Sequence, residues 1–111
     1  MINFIDARPF KREFRRLLKK HRSLVDDYEA LKAALCENPL QGADLGNGLR
    51  KVRMAIRSKG KGKSGGARVI TYVEAITAEK DGTLTFLYIY DKSERSTIAD
   101  CELAALLEEL V

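Results

Sequence analysis

The sequence holds no tryptophan, a single histidine (His21), two cysteines and two prolines in 111 residues. Each scarcity excludes something. Cys36 and Cys101 lie far apart with no CxxC spacing, and with one imidazole no zinc set can be assembled. Both thiols are expected to be reduced and at least partly buried, as free cysteines usually are. His21 has no nucleophile or metal partner nearby in sequence, so a structural or surface role is expected of it. No apolar run approaches the roughly 20 residues of a membrane helix. The opening MINFIDARPFKREF lacks the basic start, apolar centre and small-residue cleavage site of a secretory leader, so the cytosol is the expected location. A composition of 45% hydrophobic and 32% charged residues argues against disorder and for one globular domain over residues 1–111.

The most informative absence is local. Between Leu45 and Val73 there is no aspartate or glutamate, while Arg50, Lys51, Arg53, Arg57, Lys59, Lys61, Lys63 and Arg68 supply eight cations. The remaining chain carries 12 basic against 16 acidic residues, so the formal net charge of +4 is concentrated in one stretch. Such clustering is the footprint of a polyanion site more than of general solubility.

INFI at residues 2–5 reads as a short strand. Apolar residues at Phe10, Phe14, Leu17, Leu24, Tyr28, Leu31 and Leu35, with His21 among them, keep one helical face. Two helices are expected, about 8–20 and 24–36, the second capped by Ser23 and ended by Asn38-Pro39. PLQGADLGNGL reads as loop. In RKVRMAIR, Val52, Met54 and Ile56 alternate with Lys51, Arg53, Ala55 and Arg57, a half-buried strand with a basic outer face. ARVITYVEAIT and LTFLYIYD read as strands covered on both faces, joined by AEKDGT with its Asp81-Gly82 turn signal. STIADCELAALLEELV reads as an amphipathic helix with Thr97 as cap and Leu103, Leu106, Leu107 and Leu110 as its stripe. The expected fold is α+β, in the order β-α-α-β-β-β-α.

The loop RSKGKGKSGGARVITY, residues 57–72, is not a nucleotide-phosphate loop. That pattern needs a glycine five residues before its Gly-Lys-Ser; Arg57 stands there, and a strand follows instead of a helix. A GxGxxG reading fails on the same missing helix. What remains is a cationic hairpin, either merely solvated or facing a phosphate backbone in a salt-dependent contact. Lys92, Glu94 and Arg95 after the last strand are an exposed connection unless they converge on Arg68, which hairpin pairing would bring to the same end of the sheet.

GLRKVRMAI, GKSGGARVI and LYIYDKSERS, with the order of elements, resemble the RelE/HigB-type toxins of bacterial type II toxin–antitoxin modules, in the RelE/ParE superfamily. The resemblance implies a twisted antiparallel sheet packed by an N-terminal helical hairpin, with a C-terminal helix. It also implies an mRNA endoribonuclease acting in the ribosomal A site without metal or other cofactor, and an antitoxin partner encoded beside it. Arg68 is then expected to stabilise transition-state charge, Lys51 and Arg53 on the preceding strand to bind phosphate or assist proton transfer, and Lys92 and Arg95 after the last strand to complete the site. Arg57, Lys59, Lys61 and Lys63 are expected to hold or steer RNA phosphate.

RNA brings its own nucleophile, the 2′-hydroxyl, so such a protein must orient it, take its proton, neutralise the phosphorane-like charge and protonate the leaving oxygen. Lysine and arginine suffice for the electrostatic part. An ordinary lysine titrates near 10.4 and needs neighbouring cations to serve as the base, for which Lys51 or Lys92 is the candidate. Some members of the group carry a tyrosine early in the final helix, where this chain has Ile98 and Ala99. Tyr88 and Tyr90 lie on the last strand instead, as core residues or as stacking surfaces for a base. Two alternatives stay open: a ParE-like toxin that binds gyrase without cutting RNA, and a nucleic-acid-binding module without chemistry.

Overall fold

A computed structural model describes residues 1–77, 79 and 81–110. The chain runs β1 (Ile2–Asp6), α1 (Arg8–Leu18), α2 (Leu24–Glu37), β2 (Ala43–Gly46), β3 (Leu49–Met54), a single 3-10 turn (Arg57–Lys59), β4 (Ala67–Glu74), β5 (Gly82–Asp91) and α3 (Asp100–Leu110). The strands form one sheet in the order β1-β5-β4-β3-β2. The α+β architecture expected from sequence is the one observed, with two additions. PLQGADLGNGL is not all loop: it contains β2, paired antiparallel to β3 through a turn in which Asn47 and Gly48 both take positive φ. Asn-Gly is the residue pair that such a turn favours. The sheet is also mixed rather than purely antiparallel, because β1 runs parallel to β5, Ile2 beside Gly82 through Asp6 beside Phe86.

Both helices of the N-terminal hairpin cover one face of the sheet. Pro9 opens α1, where a missing N–H costs nothing. Phe10, Leu17, Leu24, Leu31 and Leu35 then bury against Val52, Val69, Leu84, Phe86 and Ile89. Each fully buried side chain of this kind contributes about 1.5–3 kcal/mol. Phe10, Phe14, Tyr28 and Phe86 make an aromatic cluster with ring centroids 5.0–5.6 Å apart, and the Tyr28 hydroxyl donates to Asp6. Ser23 does not cap α2 with its side chain; its hydroxyl donates to Asp27 and accepts from the Ser58 N–H at 2.9 Å.

The opposite face is covered by α3 and the segment before it, where Leu103 and Ile98 respectively meet Leu49, Ile70, Leu87 and Tyr90. A bulge in β5 serves this second core. Ile70 pairs with Tyr88 but Thr71 with Phe86, so Leu87 is the extra residue and joins Tyr88 on the α3 side. The α3 helix begins at Asp100, after the expected cap Thr97; the Glu102 carboxylate accepts from the Ala99 N–H at 3.3 Å. Both cysteines are exposed, not buried, because Cys36 and Cys101 fall on the outer faces of α2 and α3. The β4–β5 connection is longer than a two-residue turn, and Ala78 and Lys80 of AEKDGT lie outside the described residues.

One glycine sets the start of β4. A Cβ on Gly66 would lie 2.2 Å from the Met54 carbonyl oxygen and 2.9 Å from the Ile56 nitrogen, both backbone atoms. The strands approach too closely there for any side chain. Gly66→Ala is expected to cost about 1–3 kcal/mol as an overpacked site, read as a shift of the urea midpoint at unchanged slope; an unshifted midpoint would show that the β3 end yields freely.

A cationic cleft as candidate nucleic-acid interface

Alternation along β3 sends Val52 and Met54 into the helical core and Lys51 and Arg53 out of the other face. Register places Arg68 of β4 directly opposite Arg53. The turn after β5 is drawn to the same end of the sheet, because the Lys92 N–H donates to the Gly66 carbonyl at 3.1 Å. Lys51, Arg53, Lys63, Arg68 and Lys92 thereby converge on an open cleft of about 640 Å³, whose wall is completed by Gln41, Gly42, Ala43, Val52 and Ser96. Among the described residues no aspartate or glutamate lines it, and none of its five cations is in an ion pair. Like charges directly opposite on adjacent strands destabilise a sheet. Arg53 beside Arg68 is therefore a cost to the fold.

Arg68 is 6% exposed and held rigidly. Its Nη1 donates to the carbonyls of Lys63 and Ala67 at 3.1 and 3.2 Å, and its Nη2 to the Ser64 carbonyl at 3.2 Å. These bonds pin the glycine loop over the cleft. A guanidinium has five N–H donors, so the Nε–H and one Nη2 proton remain without a partner among the described residues.

Other sequence candidates lie elsewhere. Arg57 is in the 3-10 turn instead of β3, where its Nε donates to Asp27 at 3.1 Å. Arg95 pairs with Glu102 at 2.6 Å and sits 5.5 Å over the Tyr90 ring. Lys61 is exposed on the loop and does not line the cleft. Tyr88 and Tyr90 belong to the α3-side core. The Tyr90 hydroxyl is buried with no hydrogen-bond partner among the described residues, and burial raises its pKa against the opposing pull of Arg68 and Arg95.

Lys59 is not a free steering charge either. Its Nζ donates to Asp91 at 2.7 Å and to Ser93 at 3.3 Å. The same buried carboxylate meets His21 Nε2 at 2.9 Å and accepts from the Ser93 N–H at 2.9 Å and hydroxyl at 2.7 Å. Burial alone would raise the Asp91 pKa, but the bonds from Lys59, Ser93 and His21 outweigh it and hold the group well below the ordinary carboxylate range. Asp91 thus ties the helical junction and the 3-10 turn to the segment carrying Lys92. The next acid outward, Glu94, is pulled down to about 2 by hydrogen bonds from Arg16 and Lys20.

Sequence reasoning missed Gln41 and Ser96 as wall residues and Asp91 as the hub behind the wall. Nothing local marks Gln41 or Ser96. Asp91 carried a weak signal, an acid closing the apolar strand LTFLYIYD immediately before a candidate lysine. Among the described residues no cluster of three His, Cys, Asp or Glu side chains could hold a metal, and no helix is long and apolar enough to cross a membrane. Compared with protein families, residues 7–109 match the model described as "RelE toxin of RelE / RelB toxin-antitoxin system".

Proposed function

The chain belongs to the RelE toxin family, and from that premise we propose that it is an mRNA endoribonuclease, acting on ribosome-bound messages. Membership makes it the toxin half of a toxin–antitoxin pair and implies a cognate antitoxin. The observation that carries the catalytic proposal is the convergence on one cleft of five cations that, among the described residues, have no ion-pair partner and no acid beside them in its lining.

In the proposed step the RNA 2′-oxygen bonds to the adjacent phosphorus and the bond to the 5′-oxygen breaks. The 2′-hydroxyl proton passes to a base and the departing 5′-oxygen takes one up. Arg68 faces the phosphate with its two free N–H donors already oriented by the loop carbonyls, so little reorganisation accompanies the growth of charge. Arg53 and Lys63 hold neighbouring phosphate oxygens. Lys51 of β3 and Lys92 of the turn after β5 are assigned the proton transfers. The cleft wall carries Lys51, Arg53, Lys63, Arg68 and Lys92, so these side chains neutralise the developing charge in this scheme. Arg57, Lys59 and Arg95 act in this scheme by holding the scaffold, and Tyr88 and Tyr90 take no part.

Primer extension on a message translated in a bacterial cell-free system tests this directly. Discrete new 5′ ends are expected, and their loss in a ribosome-free control. Intact message alongside arrested growth in cells would replace the proposal with the gyrase-binding alternative.

A further inference from the structure

Beside the cleft lies a second hollow, of about 250 Å³. It opens because β2 pairs with β3 only as far as Ala43 beside Lys51, leaving the end of β3 without a strand neighbour on that side. Ala30 and Ala34 of α2 are too small to fill the gap, and Leu31, Met54 and Ala55 complete an apolar lining. The hollow shares Gln41, Arg53 and Lys63 with the phosphate-facing cleft.

We propose that this hollow receives one nucleobase of the RNA whose phosphate occupies the cleft, with the Gln41 amide reading the edge of that base. The proposal rests on the RNA-cleaving reading and adds the source of its sequence preference. In a nucleotide, base and phosphate are separated by one sugar, so a base subsite must share a wall with the phosphate subsite. Three common residues provide that wall. The volume falls below the roughly 300 Å³ at which pockets begin to hold drug-sized molecules, which suits a single heterocycle. Apolar faces with few polar groups match a flat ring that is polar only at its edge, and the planar Arg53 guanidinium at the shared mouth can stack on it.

Of the polar groups present, Asp27 is already committed. Its carboxylate accepts from the Ser23 hydroxyl and from the Arg57 Nε and backbone N–H. Gln41 is half-buried, and its amide makes no side-chain hydrogen bond among the described residues. An amide presents a donor and an acceptor side by side, the pair that fits adenine N6 and N7 best.

Two readouts test the proposal on the intact protein. In NMR titrations, adenosine 3′-monophosphate is expected to shift the methyls of Ala30, Ala34 and Ala55, and Ala34→Leu, which fills the hollow from an exposed helical position, is expected to remove the shifts. In end-mapped cleavage of mixed-sequence messages, Ala34→Leu is expected to slow cutting by about tenfold or more at unchanged melting temperature. Gln41→Ala is expected to flatten the preference at one position beside the cut by about tenfold, the scale of one good amide–base pair. Active protein whose Ala34→Leu and Gln41→Ala forms cut at the same sites and rates would overturn the base subsite and leave the nuclease standing. Methyl shifts without any cleavage would do the reverse. Unchanged cutting with weakened antitoxin binding would assign the hollow to an apolar side chain of that partner instead, and overturn the proposal.

Discussion

Arg68→Ala is expected to reduce the cleavage rate by a factor of about 10²–10³, the effect of removing one preorganised donor from a site where negative charge develops. Two bonds to loop carbonyls and one to the Ala67 carbonyl at the start of β4 fix the guanidinium before RNA arrives. The orientation is therefore already set when the phosphorane charge grows, and the loss should fall on kcat more than on KM. Arg68→Lys keeps the charge but not the planar fork, so it should restore only a small part of the rate. Counting primer-extension ends against time in a translating extract gives both values. Full cutting by the alanine variant would remove Arg68 from the site and shift the electrostatic role to Arg53 and Lys63.

The second large effect concerns stability. Asp91→Ala leaves Lys59, with 12% of its side chain exposed, facing no counter-charge. Removing one member of a buried pair costs about 3–5 kcal/mol, a large fraction of the about 5–15 kcal/mol that holds a domain folded. Asp91→Asn should cost less, since it can keep part of the hydrogen bonding. The pH dependence follows from the direction of the pKa. Asp91 is held below the ordinary carboxylate range in the folded protein. Its stabilisation is complete above the unfolded value of about 4 and is lost as pH falls towards the folded one. Glu94, at about 2, has the same sign. Urea titrations should show the native chain weakening below about pH 4 and Asp91→Asn weakening less over the same range. Parallel curves would show that water, not Asp91, satisfies Lys59.

The elements that periodicity announces were legible. Phe10, Leu17, Leu24 and Leu35 marked the buried faces of α1 and α2, and β-branched runs marked β4 and β5. The parallel β1–β5 pairing was not legible, because nothing in INFI names the strand it will lie beside. The β2 hairpin was legible in retrospect: Asn47-Gly48 is a strong turn signal that three glycines and a proline obscured. The candidate site divides similarly. The acid-free stretch located the cleft, since charge is additive along the chain. It could not separate Lys51, Arg53 and Lys63 from Lys59 and Arg57, because their neutralising partners, Asp91 and Asp27, are far away in sequence. The exposed cysteines follow from the same limit. A prior for thiols is weaker than the helix phase that sets which side of α2 and α3 Cys36 and Cys101 occupy.

With β1 bonded to β5, the first strand has no partner until residues 82–86 stand beside it. Contacts so distant in sequence close late, because the entropy of the intervening loop must be overcome first. The cleft itself draws on residues from Gln41 to Ser96, and its far wall is locked by Lys59 on Asp91. In a nascent chain β2, β3 and β4 can pair as hairpins before β5 emerges, but Lys92 and Ser96 follow β5, so the cleft is among the last features to be completed. A protein proposed to cut messages on ribosomes is in this way disarmed for as long as the ribosome making it still holds β5.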